Sequence, residues 1–158
     1  MRTRAQMWGM DLMIAIAIFS IGAVAFYFYS VSYTSEESII ENLNYDGNII
    51  ADSLLSQGYP SNWTESNVIV SGITNEGKIN QTKLEQFYNL STSDYYRTKN
   101  LFNSRYDFWI YLSADVEINS MVIEGIGKKP INYENLIKIT KVIIYNNKPE
   151  TLTLQIWN

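Results

Sequence analysis

Residues 12–31 read LMIAIAIFSIGAVAFYFYSV, and the reading of this stretch decides the fold. It is apolar for about twenty residues, which at about 1.5 Å of rise per helical residue matches a hydrocarbon core of roughly 30 Å. Only Ser20, Gly22 and Ser30 interrupt it, small residues that membrane helices tolerate. Outward from this run, no Lys or Arg occurs between Ala5 and Gly77, whereas Arg2 and Arg4 stand just before it. The positive-inside rule then predicts a cytoplasmic N-terminus, with Thr34 to Asn158 outside. The rings of Phe26, Tyr27, Phe28, Tyr29 and Tyr33 suit the aromatic belt of the outer interface.

A secretory signal peptide also opens with positive charge and an apolar core. Its core spans about 7–15 residues, however, and a small-residue cleavage site follows. This run is longer and closes on bulky aromatics, so membrane retention is the expectation. The predicted organisation is a leader over 1–10, a transmembrane helix over 11–33 and an external domain over 34–158, a single-pass protein in contact with membrane lipid.

Composition restricts what the external part can do. There is no cysteine, so packing without disulfides must hold it together. Beyond Val31 lie fifteen acidic and ten basic side chains, a balance that disfavours nucleic acid, which needs clustered cations. Lys128-Lys129 and Arg97/Lys99 are too small to form such a patch. Histidine is absent too, which removes Ser-His-Asp and Cys-His chemistry and the usual nitrogen and sulfur ligands of zinc. Asp115 and Glu117 share one face of a predicted strand and read as solvent-facing polarity rather than as an acid/base pair. Tyr45-Asp46-Gly47-Asn48 has residue types found in calcium loops without their repeat. The expectation is therefore no enzyme, no catalytic residue, no metal ligands and no cofactor.

After the membrane run the pattern stays helical. Ile39, Ile40, Leu43, Ile50, Leu54 and Leu55 recur at helical spacing, with Gly47 between Leu43 and Ile50. Glu36, Glu37 and Glu41 would suit the start of a new helix at Thr34 or Ser35. Two helices meeting near Ser32–Ser35 and one helix from about Asp11 to Ser56 are both open; the lack of Pro or Gly at the junction favours one. Gly58 supplies a left-handed stop, and Pro60 blocks continuation.

Further on, Asn67–Ser71 reads as a strand and Ile79–Leu90 as a helix capped by Asn80. Ser93–Phe102 reads as a short helix capped by Ser93 or Ser91, with Tyr96, Leu101 and Phe102 as apolar members. Tyr106–Ser113 and Val116–Glu124 read as strands. Lys138–Tyr145 and Thr151–Trp157 form a hairpin with a five-residue loop over 146–150. Leu152, Leu154 and Ile156 alternate with polar residues, so one face of the last strand is buried. The predicted fold is α+β: a long N-terminal helix, transmembrane then amphipathic, packed on a small, mostly antiparallel sheet with short helices.

Arg4-Ala5-Gln6 ahead of a long apolar helix resembles the class III signal peptide of archaeal type IV pilin-like proteins. The stretch LLSQGYPSNW (Leu54–Trp63), Gly72, the Lys83-Leu84 helix and the closing hairpin are similar to small pilin-like membrane proteins. The resemblance implies a type IV pilin-like fold. It also implies that a prepilin peptidase cuts between Ala5 and Gln6 on the cytoplasmic side, leaving the helix on the mature chain. That family usually carries Glu near the fifth mature residue; Asp11 stands one place later and is one methylene shorter. The resemblance implies an assembly role for Asp11, pairing with a neighbour's new N-terminal amine. The residues themselves favour a helix N-cap there, a role compatible with pairing.

Asn62-Trp-Thr64, Asn80-Gln-Thr82 and Asn89-Leu-Ser91 are N-glycosylation sequons, all on the predicted outer side. The functional expectation is a major or minor subunit of a type IV pilus-like surface filament or pseudopilus, with other pilin subunits as partners. The alternative is a monomeric single-pass protein whose external domain binds a cell-envelope partner.

Overall fold

The computed structural model describes the backbone of residues 3–158 and the side chains of 9–31 and 38–158. Helix α1 spans Thr3–Leu54. Its backbone is helical through Ser32–Ser35, in line with the single-helix alternative. Contacts divide the chain into two units, 1–39 and 40–158. The first holds the N-terminal part of α1, in which every described side chain from Gly9 to Val31 is exposed.

The second unit contains the remainder of α1, two short helices and two sheets. Strands β1 (Thr74–Asn75), β2 (Lys78–Ile79), β3 (Asp107–Leu112), β6 (Ile126–Gly127), β7 (Leu136–Tyr145) and β8 (Lys148–Trp157) form one sheet in the order β1-β2-β7-β8-β3-β6. Only β2 and β7 run parallel, so the sheet is mixed and mostly antiparallel. Strands β4 (Val116–Ile118) and β5 (Met121–Ile123) form a separate ribbon. Helices α2 (Gln81–Ser93) and α3 (Tyr95–Leu101) connect β2 to β3. The class is α+β.

One sheet face carries the core. Phe108 pairs with Ile156, Ile110 with Leu154 and Leu112 with Leu152 across the β3–β8 register. Phe108, Ile110, Leu152, Leu154 and Ile156 are all essentially inaccessible to water. Leu43, Ile50, Ala51 and Leu54 of α1 are equally buried. Gly47 explains how the helix approaches so closely: a Cβ there would lie 2.7 Å from Ile139 Cδ1 and 3.1 Å from Ile156 Cγ2. Leu84, Phe87 and Leu90 of α2 complete the core, with Phe102 set edge-on against both Phe87 and Phe108. Ile40, expected on the apolar face, is exposed instead; the buried seam begins at Leu43.

Three hairpin turns share one solution. Glu76-Gly77, Asn119-Ser120 and Asn146-Asn147 each place two consecutive residues at positive φ, the geometry of two-residue turns that match strand twist. Two expectations are corrected by this. The β7–β8 loop has two residues rather than five, because Tyr145 pairs with Lys148 and the strand begins before Pro149. Proline is tolerated there since β3 flanks β8 only from Leu152 onward, leaving Pro149 on a locally open edge. Likewise Val116–Glu124 is not one strand but the β4–β5 hairpin, folded at Asn119-Ser120.

Asn67–Ser71 forms no strand. Val70 makes a single bridge with Tyr59, and the chain then turns away to Gly72, so no second strand pairs with it. The α3 cap is Asp94, whose carboxylate accepts from Arg97 N at 2.9 Å, rather than Ser93 or Ser91, which lie inside α2. Tyr96 is exposed; the ring that packs inward is its half-buried neighbour Tyr95, 5.3 Å from Phe108, whose backbone N–H donates to the Tyr95 hydroxyl. Gly58 does adopt the expected left-handed conformation, at φ +74°.

Candidate membrane helix and surface sites

Gly9–Val31 is a 23-residue segment long and apolar enough to cross a membrane. At about 1.5 Å per residue it extends about 34 Å, slightly more than a hydrocarbon core. Its long side chains are exposed, Leu12, Ile16, Phe19 and Ile21 among them. In water such a surface would be far larger than soluble proteins leave uncovered. Asp11 lies within this segment. Because α1 already begins at Thr3, Asp11 stands two turns inside the helix and does not cap it, which corrects the capping alternative. Only Gly9 between Thr3 and Met10 weakens helix propagation, so the helix extends past the aspartate. The side chains of Ala5 and Gln6, the expected cleavage pair, lie outside the described residues, as do those of Tyr33, Glu36 and Glu37.

The three sequons sit in different settings. Asn62 is exposed in the turn after Pro60, and Thr64 two residues on is exposed as well. Asn80 is half-buried as the N-cap of α2, its Oδ1 accepting from Lys83 N at 3.1 Å. Asn89 lies inside α2, and the Ser91 hydroxyl that completes its sequon is buried.

Where α1 ends, a polar knot forms that sequence reasoning missed. Ile73 N–H donates to Leu54 O at 2.8 Å, and the Thr74 hydroxyl donates to Leu55 O at 2.6 Å, so the last carbonyls of the helix are answered. Lys83, only 8% exposed, donates to Gln57 O at 2.8 Å and Thr74 O at 3.3 Å. Burial pushes its ammonium below the usual lysine value. Trp63 is buried alongside, its indole N–H donating to Gly72 O at 2.8 Å. Glycines 58 and 72 permit this crossing. A Cβ on Gly72 would overlap Gly58 N and Ser56 O, and one on Gly58 would lie 2.6 Å from Val70 O. A single lysine amid Asn, Gln and Thr carries no periodic signal, although Gly58 and Gly72 flanking Trp63 hint at a close crossing.

At the start of β3, Asp107 accepts from Lys99 at 2.9 Å and Lys128 at 2.6 Å. Burial alone would raise its carboxyl, but the two lysines outweigh that and hold it below the usual range. Burial also raises the Tyr95 phenol, which stays a neutral hydrogen-bonding group. Asp115 and Glu117 are both exposed around an open hollow lined by Gln81 and Tyr145. Asp46 lies within α1, where its carboxylate accepts from Ser104 at 3.1 Å, so Tyr45–Asn48 is helix and no calcium loop. Among the described residues no group of three or more His, Cys, Asp or Glu is placed to hold a metal ion. Comparison with protein-family models, curated proteins and solved structures gave no match.

Proposed function

We propose that this chain is a structural subunit, major or minor, of a type IV pilus-like filament or pseudopilus, with the type IV pilin-like fold that such a subunit has. The observation that carries the reading is Gly9–Val31, an apolar helical segment whose described side chains are exposed, with one carboxylate near its start and two turns inside α1. A membrane accounts for the apolar surface while the subunit waits; a bundle of identical helices accounts for it afterwards. A carboxylate near the membrane edge is costly without a partner and is characteristically functional. Asp11 is assigned to pairing with the amine that a prepilin peptidase frees at Gln6. Arg2 and Arg4 keep the N-terminus cytoplasmic, and the acidic domain faces outward, where Asn62 is the best exposed sequon.

The test is processing. Co-expression with a prepilin peptidase should give a chain whose mass begins at Gln6, and Ala5→Leu should leave the longer precursor in the membrane. An N-terminus unchanged by the peptidase would refute filament assembly and favour a monomeric single-pass protein whose external domain binds a cell-envelope partner.

A further inference from the structure

The polar knot at the end of α1 opens onto a cleft of about 380 Å³ within the second unit, between the Gln57–Thr64 turn, Asn75 and the first two turns of α2. That volume falls within the range of small-molecule sites. None of the residues lining it is Asp or Glu, although the external part of the chain is acidic overall. Its hydrogen-bonding character is fixed from behind. Asn80 spends its Oδ1 on Lys83 N, and Gln86 spends its Oε1 on Glu65 N at 3.3 Å. Each amide therefore has its NH2 group left to donate. Lys83 uses two donors on Gln57 O and Thr74 O and has a third. The exposed amides of Asn62 and Asn75 stand at the rim.

A cleft that is rich in fixed donors, holds one cation and is free of carboxylates matches a ligand with many acceptor oxygens and a negative charge. We propose that this cleft binds an acidic saccharide of the uronic-acid type, its carboxylate toward Lys83 and its ring oxygens and hydroxyls on the Asn80 and Gln86 amides. A neutral sugar offers the same hydroxyls without the charge and should bind more weakly, since hydrogen bonds to ionised groups are the stronger ones. Phosphate alone would fill too little of the cleft. The sugar can arrive free, on another molecule, or as a glycan on Asn62 at the rim of the same cleft.

The experiment uses the full chain in micelles of a non-sugar detergent, produced in a host without N-glycosylation, so that Asn62 is bare. Calorimetric titration with digalacturonate should show saturable binding, and the neutral galactobiose should bind about tenfold more weakly. Gln86→Ala should weaken digalacturonate about fivefold, the loss of one hydrogen bond to a neutral oxygen. Asn75→Asp, at an exposed rim position that leaves the packing untouched, should abolish binding by like-charge repulsion. No heat with digalacturonate, equal affinity for the neutral sugar, or undiminished affinity in Asn75→Asp overturns the proposal. Chain from a glycosylating host separates the sources: binding lost there and restored by Asn62→Gln assigns the cleft to the chain's own glycan, and binding retained assigns it to a free sugar.

Discussion

Replacing Gly72 by Ala adds one methyl group at the point where two segments of backbone cross. Gly72 does not need positive φ, so the penalty is steric. The new Cβ would overlap Gly58 N and Ser56 O, both main-chain atoms that cannot rotate away. The segments must separate by roughly 1 Å to restore ordinary contact. That movement stretches the Trp63 indole bond to Gly72 O and the Ile73 bond to Leu54 O, both now 2.8 Å. Overpacking costs about 1–3 kcal/mol and each buried hydrogen bond left unmade about 1–3 kcal/mol, so with partial relaxation the loss is about 3–5 kcal/mol. For a domain of this size about 1 kcal/mol moves the melting temperature by about 4 °C, giving a drop of about 12–20 °C. Gly77→Ala is the control. Its Cβ meets nothing within 4 Å, but its φ of +76° is left-handed, so it should lose only about 1 kcal/mol, or about 4 °C. Thermal unfolding followed by near-ultraviolet circular dichroism on detergent-solubilised protein compares the two. If Gly72→Ala melts within 4 °C of wild type, or above Gly77→Ala, the crossing is not as tight as described.

Asp107→Asn should destabilise the domain by about 1–2 kcal/mol at pH 7 through loss of its two lysine partners. The folded carboxyl is depressed, so its contribution is present above the ordinary value of 3.8 and fades as pH falls through and below it; denaturant titrations at pH 7 and pH 3 should show the gap between wild type and variant narrowing, and a gap that widens in acid would reverse the sign argued here. Asn80→Ala removes the α2 cap and should cost about 1 kcal/mol in the same titration. Asp11→Asn lies two turns from the helix end, where the dipole no longer matters, so membrane insertion and melting should match wild type. Sheared filament per membrane-bound subunit should fall sharply and recover in Asp11→Glu; equal yields from wild type and Asp11→Asn would remove the charge from assembly.

The features legible in the sequence are those carried by period and length. The apolar run, the helical recurrence of Leu43, Ile50 and Leu54, and the alternation of Leu152, Leu154 and Ile156 each repeat often enough to outweigh local noise. Composition without such a repeat serves unevenly: Tyr106–Ser113 holds β3, whereas Asn67–Ser71 forms no strand. NVIVS has strong strand propensity, but a strand also needs a neighbour, and the crossing at Gly58 and Gly72 turns the chain away before one is reached. Turn lengths failed for a related reason: Asn119-Ser120 and Asn146-Asn147 adopt left-handed backbone without a glycine, which a reading that waits for Gly or Pro passes over. Of the surface features, Asn80 as a cap was readable from its place before an amphipathic run. The donor-lined cleft was not, because its residues come from three segments and its character depends on which end of each amide is already engaged.

The position of β8 sets the order of events during synthesis. Among the described strands it is made last, yet it lies inside the sheet, between β7 and β3. Leu112 waits about forty residues for Leu152, and Asp107 about fifty for Trp157. Until then β3 has only the two-residue β6 beside it, and the surface that receives Leu43, Gly47 and Ile50 does not exist. Residues 40–158 therefore cannot mature piecemeal as they emerge. The sheet closes only once Trp157 is free to insert, and loss of β8 would leave β3 and β7 as unpaired edges on opposite sides of a gap.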